Sequence, residues 1–333
     1  KKDWSTILKN SGHFLTGRNL LIISLSGLII GLSGCAHLPS SKKQTKSPEN
    51  LDPNERKIKR IAVAYRNLGT DEVKAFMPLE DFHAASTMKT PVMFQLFKMR
   101  DEGKLNLSDS VTVTNEFRSI LDGSGYTLTV SPEDGDGLYL KLGRNVAIRD
   151  LIEKMITRSS NLATNILIEI ADPVKIAETM KQIDAFGVFV LRGVEDIKAY
   201  EAGLSNRTTA GGMMNMMTAV YRSNRVADTS RQEMIDILAA QHFNDMIPKG
   251  LPDGIKVAHK TGSITRIAHD AAIVFPPNAD PYVLVILTSG YDDNTEAQAL
   301  GARISERIYA YHMNTEPNKI IDISDLVPKI EVK

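Results

Sequence analysis

The sequence contains one cysteine, one tryptophan and no excess of charge of either sign. A single cysteine among 333 residues excludes an internal disulfide. The 40 basic side chains are balanced by 40 acidic ones, and there is no basic stripe with interleaved aromatics, so nothing indicates a nucleic-acid partner. The seven histidines are scattered without the Cys/His spacing of a zinc site. We therefore expect no metal, no cofactor and no nucleic acid.

An apolar run near the start of the chain is typical of an export signal. It spans residues 20–32 after several basic side chains, and at about 13 residues it is short for a bilayer span of roughly 20. It ends in Leu32-Ser-Gly-Cys35-Ala36, which resembles the bacterial lipobox and implies cleavage before Cys35 and lipidation of its thiol. The alternative is an uncleaved signal anchor. We favour the lipobox because the one cysteine falls where lipidation needs it.

These patterns predict a signal peptide over residues 1–34 and an exported protein attached to a membrane through Cys35. Residues 35–56 are rich in Ser, Lys, Pro, Gln and Asn. Such a segment buries too little apolar surface to offset its ordering entropy, so we expect a flexible tether. A catalytic body follows at residues 57–313, and residues 314–333 form a C-terminal extension.

Strand patterns at the two ends of this body flank a helical middle. Strands are predicted at 58–67, 72–77, 256–264, 271–275 and 282–289, and helices at 86–100, 146–170, 209–223, 230–240 and 294–312. Residues 115–141 read as a long loop. The order predicts an α+β fold, in which 57–83 and 250–313 form one antiparallel five-stranded sheet flanked by helices and 84–249 is an inserted all-helical part.

Three short motifs follow one another in a fixed order. They are Ser86-Thr-Met-Lys89, Ser159-Ser-Asn161 and Lys260-Thr-Gly-Ser263. A Ser-x-x-Lys pair should arise by chance roughly once in a chain this long, so each motif alone is weak evidence. The three in this order are far rarer. Together they indicate a hydroxyl nucleophile, an amine beside it, a second hydroxyl across a cleft and a cationic strand edge.

Ser86 and Lys89 have the spacing of a serine nucleophile and its base. Residues three apart share a helix face, so Lys89 lies one turn from Ser86, and a partly desolvated lysine amine can take the hydroxyl proton. Because Ser86 begins its predicted helix, its N–H can face an oxyanion. The plainer interpretation of Ser86 alone is a helix N-cap.

The other two motifs supply the rest of a hydrolase site. The Ser159 hydroxyl would relay a proton to a leaving nitrogen while the Asn161 amide holds a substrate carbonyl, which requires a loop or helix end. Lys260 would supply a positive field for a substrate carboxylate, Gly262 would permit close approach to the strand, and the Ser263 N–H would complete the oxyanion hole. Singly, these motifs are also consistent with a polar turn and a hairpin corner.

With their context, the motifs resemble the penicillin-recognising serine hydrolases, and within them the class A β-lactamase-like branch. The resemblance covers about residues 58–312 and rests on Ala84-Ala-Ser-Thr-Met-Lys-Thr-Pro91, Ser159-Ser-Asn-Leu-Ala-Thr-Asn165 and His259-Lys-Thr-Gly-Ser263. It implies an acyl-enzyme on Ser86 and an Asn165 side chain that braces the loop of the deacylating base. We predict Ser86, Lys89 and Ser159 as catalytic, and Asn161, Lys260, Thr261, Gly262 and Ser263 as substrate-binding.

The deacylating base and the carboxylate-binding cation match that family less well. Glu195, in Arg192-Gly-Val-Glu195-Asp, lies at the family's distance from Asn161 and is our preferred base. Glu201 is the alternative, and a third possibility is that neither activates water. The family's arginine after Lys-Thr-Gly has no clear counterpart, so either His269 or Arg266 is expected to meet a substrate carboxylate.

Three functions are consistent with these residues. The first is a lipid-anchored serine β-lactamase-like hydrolase that opens a β-lactam ring. The second is a peptidase acting on D-Ala-type cell-wall peptides, or another amidase or esterase of the same fold, for which Glu195 would be dispensable. The third is a non-catalytic lipoprotein that binds ligands in the cleft, which the intact Lys89 and Lys260 disfavour. We expect a monomer.

Overall fold

The computed structural model describes residues 58–129 and 136–314. The predicted signal peptide, Cys35, the tether before residue 58 and the extension beyond Asn314 lie outside the described residues. In the described part of the chain, no helix combines the length and apolarity needed to cross a membrane.

The described residues contain strands at both ends and helices between them. The strands are β1 (Arg60–Asn67), β2 (Val73–Phe76), β3 (Phe82–His83), β4 (Ser110–Thr112), β5 (Phe117–Arg118), β6 (Gly125–Tyr126), β7 (Asn145–Ala147), β8 (Arg207–Thr208), β9 (Lys256–Ile264), β10 (Ile267–Phe275) and β11 (Tyr282–Ser289). The α-helices are α1 (Lys89–Asp101), α2 (Ile148–Thr157), α3 (Asn161–Ala171), α4 (Pro173–Gln182), α5 (Ile197–Glu201), α6 (Ala210–Arg222), α7 (Asp228–Ala239) and α8 (Asn294–His312). Short 3-10 helices lie at Ala85–Met88, Tyr139–Lys141 and Pro248–Gly250.

Five strands form one antiparallel sheet in the order β2-β1-β11-β10-β9. Its central strand β11 is buried on both faces, as expected for a continuous apolar run. Alternate side chains of β11 enter two different cores: Val283 and Val285 pack with the helices of the middle of the chain, whereas Leu284 and Ile286 pack with α8. The predicted α+β fold is confirmed, and β9 lies at the edge that faces the site.

The middle of the chain differs from the prediction in two ways. It is not all-helical, because it contains the short pairs β4–β7 and β5–β6, and β8 pairs with β3. The predicted helix 146–170 is two helices, α2 and α3. The Ser160 side chain accepts a hydrogen bond from Ala163 N and caps α3, and Ser159 before it has φ of 58°, a left-handed conformation that ends helical pairing.

Candidate active site

Ser86 lies in the 3-10 helix Ala85–Met88, which continues directly into α1. Lys89 is the first residue of α1. In a 3-10 helix residues three apart eclipse each other, so Ser86 and Lys89 share a face. Ala85, just before Ser86, has φ of 44°. A non-glycine residue in this region costs on the order of 1–3 kcal/mol and persists where its surroundings hold it, as at active sites.

Buried polar groups hold this turn in place. His83 Nδ1 accepts a hydrogen bond from Ala85 N at 3.0 Å, Ala84 N donates to Asn206 O at 2.9 Å, and His269 Nε2 lies 2.9 Å from His83 O. Burial, together with the charges of Arg192 and His269, lowers the pKa of His83 to about 3. His83 therefore stays neutral at physiological pH and keeps its acceptor. No sequence motif indicated this role.

The Ser159 hydroxyl lies between two buried lysine amines. Lys89 Nζ donates to Ser159 Oγ at 3.1 Å, to Ser159 O at 2.6 Å and to Asn161 Oδ1 at 2.9 Å. Lys260 Nζ lies 3.2 Å from the same Ser159 Oγ and 2.9 Å from Thr261 O. Both lysines are 0% exposed. The break between α2 and α3 thus brings Ser159 and Asn161 together with Lys89, as the sequence predicted.

Lys260 lies on β9, at the edge of the sheet next to the Ser86 turn. Burial lowers the pKa of the Lys260 amine to about 7, although the Asp270 carboxylate opposes that shift. An amine with this pKa both carries charge and exchanges a proton near neutral pH. The structure brings Thr261 to it through its carbonyl; contact of Thr261 with substrate stays a prediction.

Gly262 allows β9 to approach the Ser86 turn. A Cβ at Gly262 would lie 3.1 Å from Ser86 N and 3.1 Å from Thr87 N, which is tighter than ordinary packing. The glycine is thus needed for the close approach of β9 to the nucleophile turn, and its predicted role in substrate approach stays a prediction. Next to it, Ser263 is exposed at the strand edge and its Oγ accepts from Asn294 Nδ2 at 3.0 Å. Ser86 N and Ser263 N are therefore on facing elements.

Glu195 lies in the loop between α4 and α5, with φ of 60°. Its Oε2 accepts a hydrogen bond from Thr129 N at 2.9 Å. Asn165 does brace this loop: Val194 N donates to its Oδ1 at 2.7 Å and its Nδ2 donates to Val194 O at 3.0 Å. Glu201 is exposed at the end of α5. The role of Glu195 as base stays a prediction.

The expectation that His269 meets a substrate carboxylate is wrong. It is 2% exposed, and both ring nitrogens are engaged by backbone: Thr288 N donates to Nδ1 at 3.1 Å while Nε2 donates to His83 O. Burial also lowers its pKa to about 4, so it carries no charge near neutral pH. Arg266 does reach the cleft wall, from the β9–β10 turn, and pairs with Asp292 at 2.6 Å.

These elements enclose a cavity of about 510 Å³. Predicted residues that line it are Ser86, Lys89, Asn161, Glu195, Ser263 and Arg266. Others that line it were not predicted, among them Arg60, His83, Arg192, Val194, Tyr200 and Asn206. Four of the lining side chains are Lys or Arg and one is acidic, so the cavity favours an anionic ligand.

Ser86 is half-buried and one 3-10 turn from the buried Lys89, and two lysine amines share the Ser159 hydroxyl. This is the arrangement of a serine hydrolase. The model of the Beta-lactamase enzyme family matches residues 49–312. The chain belongs to this family.

Two curated relatives are similar over most of the chain. The β-lactamase of Bacillus licheniformis is 25% identical over 293 residues, which are 81% of this chain and 89% of the relative. The β-lactamase of Bacillus amyloliquefaciens is 25% identical over 288 residues, or 83% and 89% of the two chains.

Solved structures show the same fold. PBP-A superposes with a TM-score of 0.66 at 24% identity and covers 80% of this chain and 92% of its own. An ancestral (GNCA) class A β-lactamase superposes with a TM-score of 0.65 at 22% identity, covering 77% of this chain and 96% of its own.

Proposed function

We propose that the protein opens β-lactam rings by forming an acyl-enzyme on Ser86. The observation that carries the proposal is the Ser159 hydroxyl held 3.1 Å from Lys89 Nζ and 3.2 Å from Lys260 Nζ. This arrangement supplies a base for the nucleophile and a proton path to a leaving nitrogen in one connected group. The curated relatives named β-lactamase support the same reaction.

Acylation follows from these positions. Ser86 Oγ attacks the lactam carbonyl carbon while the Lys89 amine takes its proton. The N–H groups of Ser86 and Ser263 stabilise the oxyanion. The C–N bond of the ring then breaks, and the Ser159 hydroxyl gives its proton to the ring nitrogen and is reprotonated from Lys89 or Lys260. The product is an ester on Ser86 Oγ with an opened ring.

The substrate carries an anionic group. Arg266 lines the cleft at the β9–β10 turn, and the buried Lys260 amine lies 3.2 Å from Ser159 Oγ. β-Lactam antibiotics bear a carboxylate next to the ring nitrogen, which these cations would attract. A cation beside this carboxylate orients the ring and adds a favourable Coulomb energy, which is larger where the cleft excludes part of the water.

Replacement of Ser86 tests the proposal. Wild-type protein incubated with a chromogenic cephalosporin should give ring opening and a covalent mass increase. Ser86→Ala should reduce ring opening by at least about 1,000-fold, since loss of a nucleophile leaves only residual rate enhancement, and should show no adduct. The exposed Ser108→Ala is the matched control and should behave as wild type. An adduct on Ser86→Ala would contradict the assignment.

A peptidase for D-Ala-type cell-wall peptides is the second candidate. It is favoured by the structural likeness to PBP-A, of which one mutant is described as an acyl-enzyme complex with penicillin-G. Such an enzyme would be acylated by the same residues and would hydrolyse acyl-D-Ala-D-Ala peptides faster than the cephalosporin. A protein that binds β-lactams without any covalent adduct would instead be the non-catalytic alternative.

We also propose that the mature protein is an exported monomer anchored by a lipid on Cys35. The support is the sequence pattern described above, with the sole cysteine at the cleavage position. Cells given radioactive palmitate should label the wild-type protein and not Cys35→Ser, and Cys35→Ser should move from the membrane fraction to the soluble one. Equal labelling of both would contradict the lipid anchor.

A further inference from the structure

The loop at residues 191–196 forms part of the cavity wall next to Ser86. Hydrolysis of the ester on Ser86 requires a water whose oxygen attacks the carbonyl carbon as a base takes its proton, after which the bond to Ser86 Oγ breaks and that oxygen is reprotonated. A base for this step must lie within hydrogen-bond reach of that water. The loop contributes Val194 and Glu195 to the cavity wall.

Val194 is held at a defined place on this wall. Asn161 lines the cavity at the start of α3, and Asn165 one turn later binds both the N–H and the carbonyl of Val194. Gly193 permits this contact, because a Cβ there would lie 2.3 Å from Tyr126 Oη and 3.0 Å from Asn165 Oδ1. The backbone of Val194 is therefore fixed, with its apolar side chain in the wall of the cavity that Ser86 and Lys89 also line.

The residue after Glu195 is fixed as firmly. Asp196 is 1% exposed; its Oδ2 accepts from Ile120 N at 2.9 Å and its Oδ1 accepts from Ala199 N at 3.2 Å, which caps α5. Because Val194 and Asp196 are both held by hydrogen bonds, the backbone of Glu195 between them is held in place as well. Its carboxylate is bonded to Thr129 N, on a different loop of the rim.

We propose that Val194, rather than a carboxylate, occupies the place from which the attacking water would be activated, so that the acyl-enzyme on Ser86 is long-lived. The inference rests on the proposed acylation of Ser86 and replaces the prediction that Glu195 is the deacylating base. Glu195 instead links the 191–196 loop to Thr129. Ser86 is then acylated efficiently, and the acyl group is released from it slowly.

The test follows the mass of the protein after a short pulse of benzylpenicillin and removal of free drug. Wild type and Glu195→Gln should lose the adduct at the same slow rate. Val194→Glu should shorten the adduct half-life by at least about tenfold, toward the roughly 100-fold that a positioned general base can contribute. Val194→Gln is the matched control, because glutamine has the size of glutamate but cannot act as a base. Its adduct should be lost as slowly as that of the wild type.

Two results would overturn the inference. One is rapid loss of the wild-type adduct that becomes slow in Glu195→Gln, which would make Glu195 the base. The other is a Val194→Glu protein that melts and is acylated like wild type but releases the adduct no faster. Absence of any wild-type adduct is a separate result: it would refute acylation of Ser86 itself, and with it this inference.

Discussion

At the scale of single residues, the site depends on Lys260 carrying its charge while almost completely buried. Since its pKa is about 7, the amine is an ammonium below that pH and is neutral above it. A carboxylate-bearing β-lactam should therefore acylate Ser86 progressively more slowly as the pH rises through about 7, by about tenfold per unit well above it. Acylation rate constants measured by quenched flow from pH 5 to 9 check this.

Lys260→Arg keeps its positive charge over the whole pH range, because a guanidinium does not lose its proton there. Its acylation rate should therefore lack the fall above pH 7 that loss of the Lys260 charge causes. A β-lactam with its carboxylate esterified is the matched substrate, and its acylation should lack the fall that Lys260 causes. The same pH profile for both substrates would mean that the Lys260 charge does not bind the carboxylate.

At the scale of elements, two histidines connect β3 and β10 behind the nucleophile. His83 and His269 have pKa values of about 3 and about 4, below the 6.5 of an exposed histidine, chiefly because of burial. The unfolded chain thus binds more protons than the folded one between those values and 6.5. Stability should be intact above pH 6.5 and fall as the pH drops below it, by on the order of 2 kcal/mol per histidine near pH 4.5.

Denaturant unfolding at a series of pH values measures this loss. His269→Gln should flatten the dependence below pH 6.5, whatever its effect on absolute stability, and the exposed His242→Gln should leave it unchanged. If the free energy of unfolding falls with pH equally in wild type and His269→Gln, the folded protein does not resist protonation of the His269 imidazole.

The same scale shows how far sequence patterns reach. The bounds of β9, β11 and α8 agree with the prediction within a residue because their apolar periodicity is long. The helix pattern missed the break at Ser159, because apolar spacing continues from α2 into α3, although the roles predicted for Ser159 and Asn161 required a loop or helix end there. Helix α5 has five residues, too few to show a period. Helix α4 could have been predicted from the sequence, because Asp172 before Pro173 is a typical start of a helix.

At the scale of the whole molecule, the sequence correctly predicted that both ends of the body share one sheet with helices inserted between them. The predicted acylation residues came together because Ser86 and Asn161 lie at the starts of helical segments and Lys260 lies on the edge strand β9 next to them. The roles of His83 and Asn206 in holding the nucleophile turn were not predictable, since neither belongs to a recognisable motif. The two residues are 123 positions apart and come close only through the pairing of β3 with β8. The direction of the Glu195 carboxylate depends likewise on contacts to distant loops.

The central claim is that one covalent ester forms on Ser86. The most direct measurement is to quench the protein in acid seconds after mixing with benzylpenicillin, digest it, and locate the adduct by peptide mass spectrometry. The account predicts one adduct per chain, on the peptide that contains Ser86, and none on the same peptide of Ser86→Ala. An adduct on any other residue, or none at saturating drug, would contradict it.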